Sequence, residues 1–286
     1  MVERDALQPW SVSVPASDDE SDGAKSGTES HNLDMDIWRP PVLIAVGDEV
    51  GGLLWHKQDC VFGLPKAMVA ISIRTPAAYQ DPRASVLSEL YTVLVQDLLS
   101  EFAYDAEIAG LFYHFRNTTT GVHLTVGGFV HKLNKLLERV TETMCSPEAF
   151  TDKEFQRFKK KMTRDLQNFD MEQAYQHCMY TSTVMLNLPR WHIDEKLKVI
   201  GDVTLPELKA HVRSMLKTCS METLVTGNVT PEHAMAFARQ ARLAIGEMDP
   251  ASAMDGSLTP RVVMIEPRSE SFFMLPGRDP DNINSA

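Results

Sequence analysis

Apolar and polar residues alternate over residues 67–73, in a stretch bounded by Pro65 and Pro76. This period of two predicts a half-buried β-strand of about seven residues. Farther along the chain, two β-rich runs in LFYHFRNTTTGVHLTVGGF lie on either side of a polar turn that ends at Gly121. Such a pattern predicts a β-hairpin.

Spacings of three and four residues between apolar positions predict the helices. The first series of such spacings begins at Pro82 and indicates one long helix. Thr151 with Glu154 and Thr204 with Glu207 have the T-x-x-E spacing of a capping box, and each pair precedes an apolar stripe. METLVTGNV predicts a last strand, and the sequence TPEH from residue 230 predicts the N-terminus of a last helix.

The order of these elements predicts the fold class and the domain. Strand, helix, hairpin, helices, strand and helix indicate an α+β fold, with helices layered on a mostly antiparallel sheet. We place this domain at residues 33–247. Residues 1–32 are polar, acidic and Ser-rich, which predicts a disordered linker. Residues 248–286 contain one strand-like run at 261–265, and we interpret them as a linker and the start of a truncated further domain.

Charge and composition restrict the class of partner. The chain has 28 basic and 39 acidic residues among 286, and 28 − 39 gives a net charge of −11. This charge argues against a nucleic-acid partner or an anionic membrane surface. Neither a secretory signal nor a membrane-spanning run is visible, and the four cysteines form no C-x-x-C pair. We therefore expect a cytoplasmic protein with reduced thiols.

Three carboxylates and a histidine form the first candidate site. Glu101, Asp105 and Glu107 lie within two helical turns, and His114 follows a few residues later. Carboxylates at helical spacing beside a histidine can hold a hydrolytic metal ion. The same spacing is typical of the solvated side of an amphipathic helix. On that second interpretation the residues on the core side are Phe102, Ile108 and Leu111.

The nine histidines lack the spacing of a known zinc centre. No two of them are four residues apart, so neither H-E-x-x-H nor H-x-x-E-H occurs. His114 and His123 lie on the two arms of the predicted hairpin and could form a metal pair, but no third ligand is specified. Two ordinary strand residues are the better interpretation. We predict no catalytic, cofactor-binding or metal-binding residue in this chain.

Cys178 beside His177 resembles part of a thiol-nucleophile site. Adjacent residues on a helix point about 100° apart, so the two side chains cannot form the hydrogen bond between base and nucleophile. We expect instead a helical cysteine packed in the core. Trp55 and Trp191 are interpreted as wall or interface residues rather than as residues that stack on a cofactor.

A cluster of basic residues lies on the helix that follows Thr151. Lys159, Lys160 and Lys161 are flanked by Arg157 and Arg164. One interpretation is a docking surface for an anionic ligand or peptide. The other, which we favour, is the solvated face of an amphipathic helix.

Several segments together resemble one known family. LWHKQDCVFGLPKA, TPAAYQDP and LLSEFAYDAEIAGLFYHFRNTTTGVHLTVGGFVHK are similar to the third domain of the insulysin-type metallopeptidases, a group of inverted zincins. LQNFDMEQAYQHCMY, DVTLPELKAHV and LVTGNVTPE continue the similarity. It covers residues 34–247, and RVVMIEPRSESFFMLPGRDPDN is more weakly similar to the approach to the fourth domain.

The resemblance implies a role within a larger enzyme. It implies a four-domain zinc endopeptidase in two halves that enclose a chamber, with zinc held by an H-x-x-E-H motif in the first domain. This chain has no counterpart of that domain. In the third domain, the helix after the first strand occupies the place of the zinc helix, and here it has no histidine from Arg83 to Glu101.

Two functional hypotheses follow from the resemblance. The first is the non-catalytic middle region of such an enzyme, with the catalytic N-terminal half as its partner. Peptide substrates would be cleaved only in the full-length context, so no cofactor is expected in this chain. The second is a stand-alone inactive paralogue that binds peptides or docks on a partner.

Overall fold

A six-stranded sheet forms the centre of the fold. The computed structural model describes residues 39–248, 260–265, 267 and 274. The sheet consists of β1 (Val42–Gly47), β2 (Gly52–Gln58), β3 (Lys66–Arg74), β4 (Leu111–Thr118), β5 (Gly121–Phe129) and β7 (Ser220–Gly227). Their order is β1-β2-β7-β3-β5-β4, and among these neighbouring pairs β2 and β7 alone run parallel. The short strands β6 (Asn187–Leu188) and β8 (Arg261–Val262) form a separate antiparallel ladder.

Eight α-helices are present in the described part of the chain. They are α1 (Pro82–Leu98), α2 (Ser100–Ile108), α3 (Val130–Met144), α4 (Asp152–Asn168), α5 (Ala174–Leu186), α6 (Ile193–Ile200), α7 (Leu205–Lys217) and α8 (Pro231–Ile245). Helix α1 packs against α4, α6 and α7, while α3 packs against α8 and β5. None of the described helices is long and apolar enough to cross a membrane.

The hydrophobic core lies between these helices and one face of the sheet. Along β3 the odd-numbered residues Ala67, Val69, Ile71 and Ile73 are buried, whereas the even-numbered residues are not. The alternation follows from the pleat, which directs successive side chains to opposite faces. It confirms both the predicted strand and the predicted class, an α+β fold with helices layered on a mostly antiparallel sheet.

The predicted helix starts are confirmed by their capping contacts. At α1 the Asp81 carboxylate accepts a hydrogen bond from the Ala84 N–H at 2.7 Å, and Pro82 occupies the first helical position. At α4 Thr151 and Glu154 form the predicted capping box. These side chains satisfy N–H groups that have no partner within the helix, which fixes where each helix begins.

The first hairpin of the sheet, β1–β2, is absent from the predicted element order. Its first strand has no alternating pattern, and Val42 and Val46 are 64% and 69% exposed at the edge of the sheet. The turn uses Gly51 in the left-handed region at φ 71°. The sequence prediction was therefore wrong in treating β3 as the first strand.

The structure describes part of the predicted C-terminal segment and none of the predicted N-terminal linker. The predicted linker at residues 1–32 lies outside the described residues. In the predicted strand-like run at 261–265, Arg261–Val262 forms β8 and pairs with β6. The division between the domain at 33–247 and a further domain after it stays a prediction.

Candidate functional site on the open face of the sheet

The main candidate for an interaction site is the open face, the side of β2, β7, β3, β5 and β4 that points away from the helices. The strand register aligns Arg116 with His123, His123 with Ser72, and Ser72 with Glu222 in one row across this face. The neighbouring row consists of His114, Thr125, Ala70, Leu224 and Trp55. Polar and charged side chains from five strands thus meet on one surface.

A chain of hydrogen bonds holds His123 in the centre of this face. Its Nδ1 lies 3.0 Å from the Ser72 Oγ, and its Nε2 lies 3.2 Å from the Thr125 Oγ1. Partial burial lowers the pKa of His123, and the nearby Arg116 guanidinium lowers it further. Both ring nitrogens are engaged by hydroxyl groups, whereas a serine nucleophile needs a histidine whose second nitrogen is oriented by a carboxylate. The cluster therefore lacks the arrangement of a catalytic triad.

An aromatic cavity lies beside this cluster. A space of about 430 Å³ is lined by Pro40, Pro41, Trp55 and Leu224, among other residues. The Trp55 indole N–H donates to Glu222 Oε1 at 3.1 Å, and the other carboxylate oxygen lies 4.0 Å from Arg74 Nη1. The tryptophan thus presents its ring as a wall of the cavity, in agreement with its interpretation from the sequence.

His114 and His123 both point to the open face and line one cavity of about 580 Å³. The register is consistent with the expectation that they could approach each other. His114 pairs with Thr125 and His123 pairs with Arg116, so the two histidines occupy diagonal positions on adjacent strands. The described residues contain no group of three or more His, Cys, Asp or Glu side chains that could hold a metal ion. Because a catalytic zinc needs three protein ligands, the residues of this face do not fit a zinc centre.

The carboxylates of α2 lie on its solvated side. Glu101, Asp105 and Glu107 are exposed, while Ala106 on the same helix is buried. Of the apolar residues expected on the core side, Leu111 is buried and Phe102 packs against the core, but Ile108 is 72% exposed. The prediction for Ile108 was wrong because α2 ends at this residue, within a stretch, 107–110, that is exposed throughout.

The expected core position of Cys178 is also wrong. The thiol is exposed, because α5 lies at the periphery and none of its residues is fully buried. The neighbouring His177 instead packs edge-to-face on Phe169, with a centroid distance of 4.6 Å. Both His177 ring nitrogens are buried, and neither has a hydrogen-bond partner among the described residues. They therefore form no hydrogen bond with the thiol.

Two members of the basic cluster on α4 make structural contacts. Arg157 forms an ion pair with Asp97 of α1 at 2.6 Å. The Lys159 ammonium donates to the carbonyl oxygens of Gly201 and Val203, at 2.7 Å each, after the end of α6. Lys160 and Lys161 are exposed. Part of the cluster thus joins helices together, and only the remainder is a solvated face.

A half-buried polar group that sequence reasoning missed lies between α1 and α7. His211 Nε2 is 3.0 Å from the Ser88 Oγ, which also donates to the Ala78 carbonyl at 2.8 Å. Burial lowers the pKa of His211 to about 4, against the opposing effects of Asp81 and Glu207. The signal was present in the sequence, because His211 falls between Leu208 and Met215 on the apolar stripe of the helix.

Helix α1 follows β3 and is the helix that the resemblance equates with a zinc helix. Its buried polar residues are Ser85, Ser88 and Thr92, which carry hydroxyl groups only. Thr92 donates back to the Ser88 carbonyl at 2.9 Å, as buried hydroxyls on helices commonly do. This helix offers no histidine or carboxylate pair to a metal ion.

The sequence profile of one family matches more than half of the chain. Residues 31–199 match the family described as the middle or third domain of peptidase M16. The chain belongs to the M16 peptidase family. M16 peptidases are zinc metalloproteases, and this chain contains the middle domain of that family, where the described residues contain no metal-binding group.

Relatives of known name agree with this M16 assignment. The human insulin-degrading enzyme is 38% identical over 197 residues, which are 69% of this chain and 19% of that protein. The Arabidopsis thaliana protein named insulin-degrading enzyme-like 1, peroxisomal, is 31% identical over 238 residues, which are 82% of this chain and 24% of that protein. The chain thus spans about a fifth of the length of these relatives.

Solved structures of M16 proteins share the fold. The crystal structure of pitrilysin superimposes with a TM-score of 0.68 at 21% identity, over 73% of this chain and 22% of that one. An M16 inactive domain from Pseudomonas fluorescens superimposes with a TM-score of 0.59 at 16% identity, over 74% of this chain and 52% of that one. At these identities the likeness concerns the fold alone.

Proposed function

We propose that this chain acts as the non-catalytic middle region of an insulysin-like zinc metalloendopeptidase. It forms part of the C-terminal half of a chamber that encloses peptide substrates. Its partner is the catalytic N-terminal half, which supplies the zinc, and peptides are cleaved only in the full-length context. The compartment of such an enzyme is the cytoplasm.

The observation that carries this proposal is the lack of metal ligands on helix α1. In a catalytic domain the helix at this place holds metal ligands, whereas here its buried polar groups are hydroxyls that bond within the domain. A tightly packed helix of this kind stabilises a domain but has no histidine that could hold a zinc ion. The match of residues 31–199 to the middle domain supports the same role.

Peptide hydrolysis by the purified 286-residue chain tests the proposal. We expect no turnover of an internally quenched peptide of about twenty residues, either with added zinc or after treatment with a chelator. The human insulin-degrading enzyme, assayed in parallel, shows that the peptide and the buffer are suitable. Turnover by this chain that requires zinc and is lost with the chelator would contradict the proposal.

A second candidate is a stand-alone inactive paralogue that binds peptides or docks on a partner. It is favoured by the open face, where Trp55 and Leu224 line a cavity accessible to a ligand. Size-exclusion chromatography separates the two candidates. A cooperatively folding monomer or one defined complex supports the paralogue, whereas association through exposed surfaces supports a piece of a larger enzyme.

A further inference from the structure

The open face carries positive charge although the whole chain is acidic. Lys57 of this face already has an interaction partner. The other outward-pointing charged residues in the described part of the face are Lys66, Arg74, Arg116 and Glu222, and 3 − 1 gives a local charge of +2. The net charge of the chain is −11. A cationic face on an acidic protein attracts acidic segments and disfavours basic ones.

Arg116 is an exposed cation of this face. It is exposed on the edge strand β4 and forms no ion pair with any residue of the described ranges. Arg74 shares Glu222 with the Trp55 indole, at the longer distance of 4.0 Å. Among the described residues of the face, the Glu222 carboxylate is therefore already engaged, whereas the Arg116 guanidinium has no ion-pair partner.

The chain itself enters the structure on this face. Pro40 and Pro41, at the start of the described residues, line the same cavity as Trp55 and Leu224. Residues 17–29, a short distance before them, read SDDESDGAKSGTE and have five acids and one lysine. Their net charge of −4, from 1 − 5, is opposite in sign to the open face.

The length of the intervening chain is sufficient for contact. Nine residues, 30–38, separate Glu29 from Arg39, and at about 3.4 Å per extended residue they span up to about 30 Å. From β2 to β4 there are four strand spacings, or about 19 Å across the face. The acidic residues can therefore reach Arg116 from the position of Pro40.

We propose that the acidic segment at residues 17–29 docks on the open face of its own chain, against Arg74 and Arg116. Each exposed charge pair is weak and is screened by salt. The tether compensates, because it makes the contact intramolecular and raises the effective concentration of the segment. The segment would compete with any other ligand of this face. This inference is independent of the proposed role in peptide hydrolysis.

Paramagnetic relaxation enhancement on the full chain tests the proposal. A spin label is placed at residue 24 by Ala24→Cys, with the exposed Cys60 and Cys178 changed to serine. Burial raises the pKa of the Cys145 and Cys219 thiols to about 12, which keeps them unreactive towards the label. At low salt we expect the amide signals of Ser72, His123 and Arg116 to be broadened.

Variants that lack acidic or basic charges test whether the broadening depends on charge. Replacing Asp18, Asp19, Glu20 and Asp22 by their amides, or adding about 0.5 M salt, should at least halve the broadening. Arg116→Gln should weaken it as well, whereas Lys135→Gln on the exposed surface of α3, on the helical side, should leave it unchanged.

Three results would overturn the inference. One is broadening that does not change when the acids are neutralised. Another is equal broadening on helices α3 and α8, on the opposite side of the sheet. The third is broadening that occurs only between a labelled chain and a separate isotope-enriched chain, which would assign the contact to a second copy.

Discussion

His211 shows how one half-buried side chain makes stability depend on pH. Its ring lies between α1 and α7 and bonds to the Ser88 hydroxyl as a neutral group. Burial lowers the pKa of His211 in the folded state to about 4 from the ordinary value of 6.5. The unfolded chain therefore takes up a proton on acidification before the folded chain does.

Acidification should selectively destabilise the protein through His211. Because the pKa of His211 is lower in the folded state, the histidine causes no loss of stability above about pH 7. The loss in the free energy of unfolding grows as the pH falls from 6.5 towards 4, up to about 3 kcal/mol. His211→Gln should remove this part of the pH dependence. Urea unfolding at pH 7, 5.5 and 4.5 measures it, with His114→Gln on the exposed surface as the matched control. Parallel pH profiles for the protein and for His211→Gln would contradict the assignment.

Individual residues differ in how well their positions could be predicted from the sequence. His211 lies on an apolar stripe, so its burial could have been inferred from spacing. Cys178 and Ile108 could not, because spacing shows which residues share a helix face and not which face meets the core. Cys178 is exposed because α5 lies at the periphery, and Ile108 is exposed because α2 ends at that residue.

At the scale of elements, the β4–β5 hairpin depends on a close approach of two backbones. Gly121 has a φ of 149°, and a Cβ added there would lie 1.9 Å from the Ile73 carbonyl oxygen of β3. Turn residues and alternation in the flanking runs made this hairpin predictable. The β1–β2 hairpin was missed because β1 is an edge strand whose apolar residues are exposed on both sides.

Gly121→Ala should be strongly destabilising. The new methyl group would collide with backbone that belongs to the central strand, and we expect a loss of more than about 3 kcal/mol in the free energy of unfolding. Gly201→Ala is the matched control, since nothing lies within 4 Å of a Cβ at that position. Chemical denaturation measures both variants. Similar midpoints for the two would show that the hairpin tolerates a side chain at residue 121.

The basic cluster on α4 joins helices rather than forming one uniform surface. Lys159 bonds to two carbonyl oxygens after α6, whereas Lys160 points to solvent. Lys159→Met should therefore lower the free energy of unfolding by about 1–2 kcal/mol, because two carbonyls lose their donor. Lys160→Met should change it by less than about 0.5 kcal/mol. Equal effects of the two substitutions, measured by thermal unfolding, would count against this structural role.

At the scale of the whole molecule, the chain has the α+β fold of the M16 middle domain. The order of elements and the family resemblance made this fold predictable, because they depend on long patterns rather than on single residues. The surfaces were less predictable. The positive charge of the open face comes from residues of β3 and β4 that are distant in the sequence, and only the sheet order brings them to one face.

We propose that this domain keeps the fold of an M16 peptidase without a metal centre. The content of tightly bound zinc, measured after dialysis against zinc and then against metal-free buffer, tests this most directly. We expect far less than one zinc per 286-residue chain, because no set of three ligands is present in the described residues. The human insulin-degrading enzyme, treated in the same way, should retain its zinc. Retention of one zinc per chain by this protein would contradict the account.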